Sequence, residues 1–177
     1  MSRARAASPA PRPGRRAAAP LIRPATPEDD DALWRVLAPV FRAGDTYAVD
    51  PAIPRDAALA FWRAGEVHAA ELAGEIAGTF RLAPNHGGGG AHVANAAFAV
   101  APEARGRGLA RAMRDAALDL ARRSGYRAMQ FNFVVETNAP ALKLWREAGF
   151  AEIGRVPQGF RRPDGRLVDA LILHRPL

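Results

Sequence analysis

The sequence predicts an α/β fold, in which a mixed sheet is flanked by helices. Two observations support this class: several segments carry apolar residues at helical spacing, and short apolar segments of strand length lie between them. The predicted order is a strand, two helices, three strands, a helix, a strand, a helix and two strands, which is typical of one α/β domain. The 177 residues suffice for such a domain with a tail.

The first predicted strand spans residues 21–24 and ends at a proline. A helix follows, because Thr26 can cap its start, Pro27 suits its first position and Asp29 completes a capping-box pattern. The apolar stripe of this helix consists of Leu33, Val36, Leu37, Val40 and Phe41. Pro39 should kink or shorten its last turn, because proline lacks the N–H that a helix interior needs.

A loop, a second helix and a hairpin come next. The loop covers residues 43–51, and the helix spans about 55–63 before Gly65. Strands are predicted over 66–72 and 76–82, with a tight turn between them. Four consecutive glycines follow at positions 87 to 90, so this loop should be mobile or should pass close to another backbone.

The second half of the domain contains a small, apolar segment typical of a buried central strand, then two helices and three further strands. Asn138 can cap the second of these helices, and Gly149 ends it. The predicted elements are a strand over 92–100, a helix over 108–123, a strand over 128–135, a helix from 138 to 149, and closing strands over 152–156 and 168–174.

The basic charge of the chain is concentrated at its N-terminus. Residues 1–20 contain five arginines and no acidic residue, so they carry +5 of the formal net charge of +7. This segment lacks apolar periodicity, so we expect a disordered basic tail before a domain that spans 21–177. Its composition resembles an organelle transit peptide or an arm on nucleic-acid phosphates. A solvated tail is the simpler interpretation, and no nucleic-acid partner is expected.

Several classes of site are excluded by what the sequence lacks. There is no cysteine, which rules out disulfides, a thiol nucleophile and thiolate metal ligands, and which suits the cytoplasm as the expected location. The four histidines show no metal-ligand spacing, so no metal is expected. No apolar run approaches the roughly 18 residues that cross a bilayer, so no membrane partner is expected.

The segment from Arg105 to Ala110 carries the strongest chemical signal. A strand runs into a turn containing Gly106 and Gly108, and the turn opens a helix. Main-chain N–H groups at such a turn can bind a diphosphate, which the neighbouring arginines would help to neutralise. Taken alone, an ordinary strand-to-helix turn with solvated arginines explains the segment equally well. A Rossmann site would need a ribose-binding acid, and a P-loop would need Gly-Lys-Ser or Gly-Lys-Thr; neither occurs.

Two segments together resemble the GNAT superfamily of N-acetyltransferases. Residues 105–110 resemble its pyrophosphate loop, which reads Arg or Gln, two residues, Gly, one residue, then Gly or Ala. Residues 138–150 resemble the superfamily's segment from an asparagine to Gly-Phe. The resemblance covers residues 21–177 and implies the GNAT fold, a mostly antiparallel sheet that is splayed between two central strands. It also implies acetyl-CoA as co-substrate, with its pantetheine arm between those strands.

The same resemblance implies which residues contact acetyl-CoA. Backbone groups of Phe98 and Val100 would hold the pantetheine and the thioester carbonyl, and the Asn138 side chain would contact the arm. Trp145 stands where the superfamily commonly has a tyrosine acid; an indole cannot protonate a thiolate, and core packing explains Trp145 equally well. The full cofactor-binding set is Phe98, Val100, Arg105, Gly106, Arg107, Gly108, Leu109, Ala110, Asn138 and Trp145.

Candidate acceptor residues lie around the predicted opening of the sheet. Strand alternation places Gln130, Asn132, Val134 and Glu136 on one face. Asn132 and Asn95 are the catalytic and substrate-orienting candidates, although either could instead satisfy backbone groups at the opening. Tyr47, in the loop, and Glu136, a base acting through water, complete the substrate-binding set. Both residue types are also common as plain solvated residues.

Asn95, Asn132 and Asn138, with residues 131–134 and 154–157, are similar to a GNAT branch that includes N-acetyltransferases of proline analogues such as azetidine-2-carboxylate. This similarity implies a small-molecule amine or amino-acid acceptor, which attacks acetyl-CoA directly in a ternary complex, and a homodimer. An alternative function, that of a non-catalytic acetyl-CoA sensor, also fits the sequence because Trp145 replaces the tyrosine.

Overall fold

A computed structural model describes residues 19–177, so residues 1–18 of the predicted basic tail lie outside the described part of the chain. The elements follow the predicted order, which confirms the α/β class. The strands are β1 (Leu21–Pro24), β2 (Glu66–Leu72), β3 (Glu75–Pro84), β4 (Val93–Val100), β5 (Ala128–Val135), β6 (Ala151–Arg161) and β7 (Leu167–Pro176), and the helices are α1 (Asp30–Ala43), α2 (Arg55–Trp62), α3 (Leu109–Arg123) and α4 (Ala139–Glu147).

The seven strands form one sheet in the order β1-β2-β3-β4-β5-β7-β6. Each neighbouring pair is antiparallel except β4 and β5, which run parallel at the centre. The mixed, mostly antiparallel sheet is therefore the predicted one. Among residues 19–177, no helix combines the length and apolar character that a membrane span requires.

The helices cover both faces of the sheet. Neighbouring residues of a strand point to opposite faces, and in β3 Thr79 accepts a hydrogen bond of 3.0 Å from Trp62 Nε1 of α2. A Cβ at the adjacent Gly78 would lie 2.9 Å from Leu109 Cδ2 of α3. It follows that α2 lies on one face and α3 on the other. Arg111 Nη2 of α3 lies 3.3 Å from Glu147 Oε2 of α4, so α4 lies beside α3.

Helix α1 continues through Pro39 and ends at Gly44, whose φ is 60°. The expectation that Pro39 shortens this helix is wrong. The predicted stripe is buried in full, and this packing offsets the hydrogen bond that Pro39 cannot donate.

Two further expectations need correction in the second half of the sheet. Strand β5 carries an extra residue between Phe131 and Val134. Such a bulge breaks alternation, so Val134 packs in the same buried cluster as Phe131 and does not share a face with Asn132. The closing strands are also longer than predicted, because β6 continues past Pro157 with a second irregularity between Val156 and Phe160. Proline is tolerated there because β6 is an edge strand.

Candidate active site

The sheet opens between its two central strands. β4 and β5 pair only at Val93 with Ala128 and at Ala94 with Met129. The Ala101 N–H donates to the Ala77 carbonyl oxygen of β3, so the backbone groups of Ala101 and Ala99 point toward β3. Because the direction alternates along a strand, the backbone groups of Phe98 and Val100 point toward β5. Beyond the paired residues, this edge of β4 has no strand partner, and polar backbone groups at such an edge need other partners.

Asn95 lies where the two strands begin to part. Its Nδ2 donates to the Gln130 backbone oxygen at 2.9 Å, so its side-chain amide replaces a backbone hydrogen bond that the two strands no longer make. Asn132 lies farther along and is exposed. Its Oδ1 accepts from Gln130 Nε2 at 2.8 Å, and its Nδ2 donates to Asn85 Oδ1 at 2.7 Å. The structure thus brings Asn95 and Asn132 to one side of the opening, joined through Gln130.

Tyr47 occupies the unpaired edge of β4. Its hydroxyl donates to the Phe98 carbonyl oxygen at 2.7 Å and accepts from the Phe98 N–H at 3.0 Å. Its ring packs edge-on against Phe41 and Trp62, which fixes the loop between α1 and α2 on the sheet. Burial raises the pKa of the Tyr47 phenol well above its usual value, so the phenol stays protonated.

The glycine turn precedes α3, as predicted. Gly106 and Gly108 have φ values of 73° and 81°, in the region that favours glycine. Among the described residues, no main-chain N–H from Gly106 to Arg111 donates to a protein acceptor, and the first bond of the helix is from Ala112 to Gly108. Six consecutive donors, which include those of Arg107, Leu109 and Ala110, are therefore free to bind an anion at a helix N-terminus.

Asn138 and Trp145 lie on α4. The Asn138 Oδ1 accepts from Ala141 N–H at 3.3 Å and caps the helix as predicted, while its Nδ2 has no acceptor among the described residues. Trp145 is 6% exposed, and its ring centre lies 4.4 Å from that of Phe131 and 4.9 Å from that of Phe98. Its position indicates packing behind the opening rather than a polar role.

Glu136 takes part in an ion network at the end of β5. Its carboxylate accepts from Arg155 at 3.0 Å and from the Asp169 N–H at 3.2 Å. Both oxygens of Glu136 therefore accept a hydrogen bond from the protein. Within residues 19–177, no group of three or more histidine or acidic side chains is placed to hold a metal ion.

Strand alternation placed Gln130 on the face of Asn132 but gave it no role, and sequence reasoning missed Asn85 and Arg81. In the structure Gln130 links the two asparagines, and Asn85 accepts a hydrogen bond from Asn132. Arg81 lies on the same face as Tyr47, and both side chains pack near Trp62. Asn85 and Arg81 reach the site only through the pairing of β3 with β4, which no local pattern reveals.

Comparison with known proteins identifies the class to which this fold and site belong. The model of the acetyltransferase (GNAT) family matches residues 32–150, which is more than half of the chain. The chain therefore belongs to the GNAT family of acetyltransferases. This match confirms the predicted superfamily and the predicted use of acetyl-CoA by its members.

Individual relatives agree with the family match. N-acetyltransferase aca1 of Schizosaccharomyces pombe is 33% identical over 86 residues, which are 49% of this chain and 41% of aca1, so the alignment spans less than half of that relative. A GCN5-related N-acetyltransferase from Kribbella flavida is 41% identical with a TM-score of 0.85, over 89% of this chain and 98% of that one. The yncA protein of Salmonella typhimurium, solved with its cofactor acetyl-CoA, has the same fold at 23% identity and a TM-score of 0.80, over 90% and 95% of the two chains.

Proposed function

We propose that this protein is an N-acetyltransferase, which transfers the acetyl group of acetyl-CoA to the amine of a small molecule or amino acid by direct attack in a ternary complex. The observation that carries the proposal is the unpaired edge of β4 at Phe98, between diverging strands and beside an anion-binding turn. Relatives that are named as N-acetyltransferases support the same reaction.

The residues present fit acetyl-CoA in three places. The six free N–H groups from Gly106 to Arg111 suit its diphosphate, with Arg105 and Arg107 beside them. The edge of β4 at Phe98 and Val100 suits the amide-rich pantetheine arm, as an added strand would. The free Nδ2 of Asn138 suits a carbonyl of that arm.

Tyr47 supplies the acid that Trp145 cannot. The Phe98 N–H stabilises the negative charge that develops on the thioester oxygen during attack by a neutral amine. The Tyr47 hydroxyl lies 3.0 Å from that same nitrogen, so it is within reach of the departing sulfur once it releases the N–H. It donates its proton to the thiolate and regains one, through water, from the acetylated amine.

Asn95, Asn132 and Glu136 have supporting roles in this proposal. Asn95 keeps the strands apart at a fixed width through Gln130, and Asn132 orients the acceptor from the exposed side. Glu136 accepts hydrogen bonds from Arg155 of β6 and from the Asp169 N–H of β7, and so fixes these two strands beside the acceptor cleft. The resemblance to acetyltransferases of proline analogues supports a cyclic amino acid among the acceptors.

Release of free thiol from acetyl-CoA, measured with a panel of amines and amino acids, tests this function. We expect thiol only when both substrates are present. Tyr47→Phe should lower kcat about 100-fold, the usual contribution of a general acid, with little change in acetyl-CoA affinity. Tyr126→Phe removes the only other tyrosine and should be neutral. Acetyl-CoA binding without thiol release from any amine would instead support the sensor.

Two expectations about the whole protein also stand as proposals. A homodimer is supported by the edge strand β6, which exposes the apolar side chains of Ile153 and Val156. Light scattering after size exclusion tests it, and a monomer mass would contradict it. The absence of cysteine supports a cytoplasmic location, which microscopy of a C-terminally tagged protein tests.

A further inference from the structure

Arg81 is half-buried on the same face of the sheet as Tyr47; its guanidinium lies 5.9 Å from the Trp62 ring centre, and the Tyr47 ring packs on the same tryptophan. Its Nη1 donates to the Phe61 carbonyl oxygen at 2.7 Å, and its guanidinium stacks 4.4 Å from the Phe61 ring centre. Within residues 19–177 no carboxylate pairs with Arg81, and its Nε and Nη2 donate to no protein acceptor. Burial accordingly lowers the Arg81 pKa below its ordinary value.

The Nε and Nη2 of this half-buried cation are open to solvent, so a ligand anion can replace the water on them. The edge of the guanidinium that carries Nε and Nη2 can bind a carboxylate through two parallel hydrogen bonds. Stacking on Phe61 and the bond to its carbonyl oxygen hold this edge in place. Arg81 is thus preorganised to recognise an anion.

The pairing of β3 with β4 places this cation close to the reacting centre. Arg81 lies opposite Ala97, the residue before Phe98, and opposite residues have Cβ atoms about 5 Å apart. Asn95 lies two residues before Ala97 on the same face. An anion bound by Arg81 would therefore lie on the face of the sheet that carries Asn95, and near Tyr47, because the Tyr47 ring and the Arg81 guanidinium both lie about 6 Å from the Trp62 ring.

We propose that Arg81 is the anchor for a carboxylate of the acceptor, so that the preferred substrates are amines that also carry a carboxylate. This inference rests on the proposed N-acetyltransferase function and specifies its substrate class. It also gives the acceptor one fixed orientation, because the amine faces Tyr47 when the carboxylate is bound.

The test compares three acceptors that differ only at the carboxylate: proline, prolinamide and pyrrolidine, with azetidine-2-carboxylate and azetidine as a second series. The wild-type kcat/KM should be about 10- to 100-fold higher for the acids. Arg81→Met should raise the KM for the acids and remove this preference, while Arg81→Lys restores part of it. Neither variant should change the KM for acetyl-CoA. Arg42→Met is the control, because Arg42 also stacks on an aromatic ring, that of Trp34.

Calorimetry of proline with the coenzyme A complex gives a readout without turnover, and thermal denaturation checks that each variant folds. If wild-type protein acetylates the amide or the plain amine as well as the acid, the inference is overturned and the acetyltransferase function stands. If no amine releases thiol, both fail. If Arg81→Met does not fold, the kcat/KM values of wild-type protein for the acids and the amides still show whether the acceptor carboxylate is recognised.

Discussion

Replacing Gly108 with alanine tests whether the turn before α3 binds a diphosphate. Gly108 has a φ of 81°, and nothing lies within 4 Å of a Cβ built there. The substitution therefore causes no clash, and its cost is the left-handed backbone conformation alone, about 1 kcal/mol. For a chain of this size that cost lowers Tm by about 2–4 °C.

The effect on ligand binding should be much larger. The added Cβ would stand in the open space beside the turn and would keep a diphosphate from approaching the N–H groups between Gly106 and Arg111. Losing two charge-assisted hydrogen bonds at about 1.5 kcal/mol each weakens coenzyme A binding by roughly 100-fold. Isothermal titration calorimetry with coenzyme A measures this change directly.

Gly125→Ala provides a matched control at the other end of α3. Gly125 has a φ of 83° and also has nothing within 4 Å of a built Cβ. It should show the same loss of thermal stability with unchanged coenzyme A affinity. Equal affinities in the Gly108 and Gly125 variants would refute the reasoning.

Three further predictions concern the cap of α4, a buried hydrogen bond and acid stability. Asn138→Asp should keep the cap but lose the amide donor, so it should weaken acetyl-CoA binding at unchanged Tm. Asn138→Ala should weaken binding and also lower the free energy of unfolding by about 1 kcal/mol. Calorimetry and thermal denaturation measure the two effects, and unchanged affinity in both variants would contradict the cofactor contact. Thr79→Val leaves the Trp62 N–H without an acceptor and should cost about 1–3 kcal/mol in urea denaturation, whereas Thr79→Ser should not; equal stabilities would contradict that role. The Arg23 guanidinium lowers the Asp29 pKa from 3.8 to about 2, so this carboxylate stabilises the fold above pH 3.8 and loses that effect as the pH falls toward 2. Solvent screening limits the contribution to about 1 kcal/mol, and Asp29→Asn should flatten the stability profile over this range; an unchanged slope would contradict the pairing.

The order of elements could be predicted because it is encoded locally. Helical periodicity located α1 and α3, and Asn138 marked the start of α4. Thr26 instead caps the short 3₁₀ turn Pro27–Asp29 that leads into α1. The glycine turn before α3 could be predicted equally well, because positive φ values at Gly106 and Gly108 favour the residue type that the sequence shows.

The chemistry around the opening could not be predicted in the same way. Tyr47 and Phe98 are 51 residues apart in the chain, and only the packing of the α1–α2 loop brings them together. The bulge in β5 depends on how β5 pairs with β7, so alternation alone misplaced Val134. No local pattern singles out Arg81, whose stacking on Phe61 depends on how α2 packs against β3.

A crystal structure of the complex with acetyl-CoA is the most direct test of the central claim. In that complex we expect the thioester oxygen to accept a hydrogen bond from the Phe98 N–H, with the Tyr47 hydroxyl moved from that nitrogen toward the sulfur. A complex in which Tyr47 still occupies both backbone groups of Phe98, with the pantetheine arm outside the gap between β4 and β5, would contradict it.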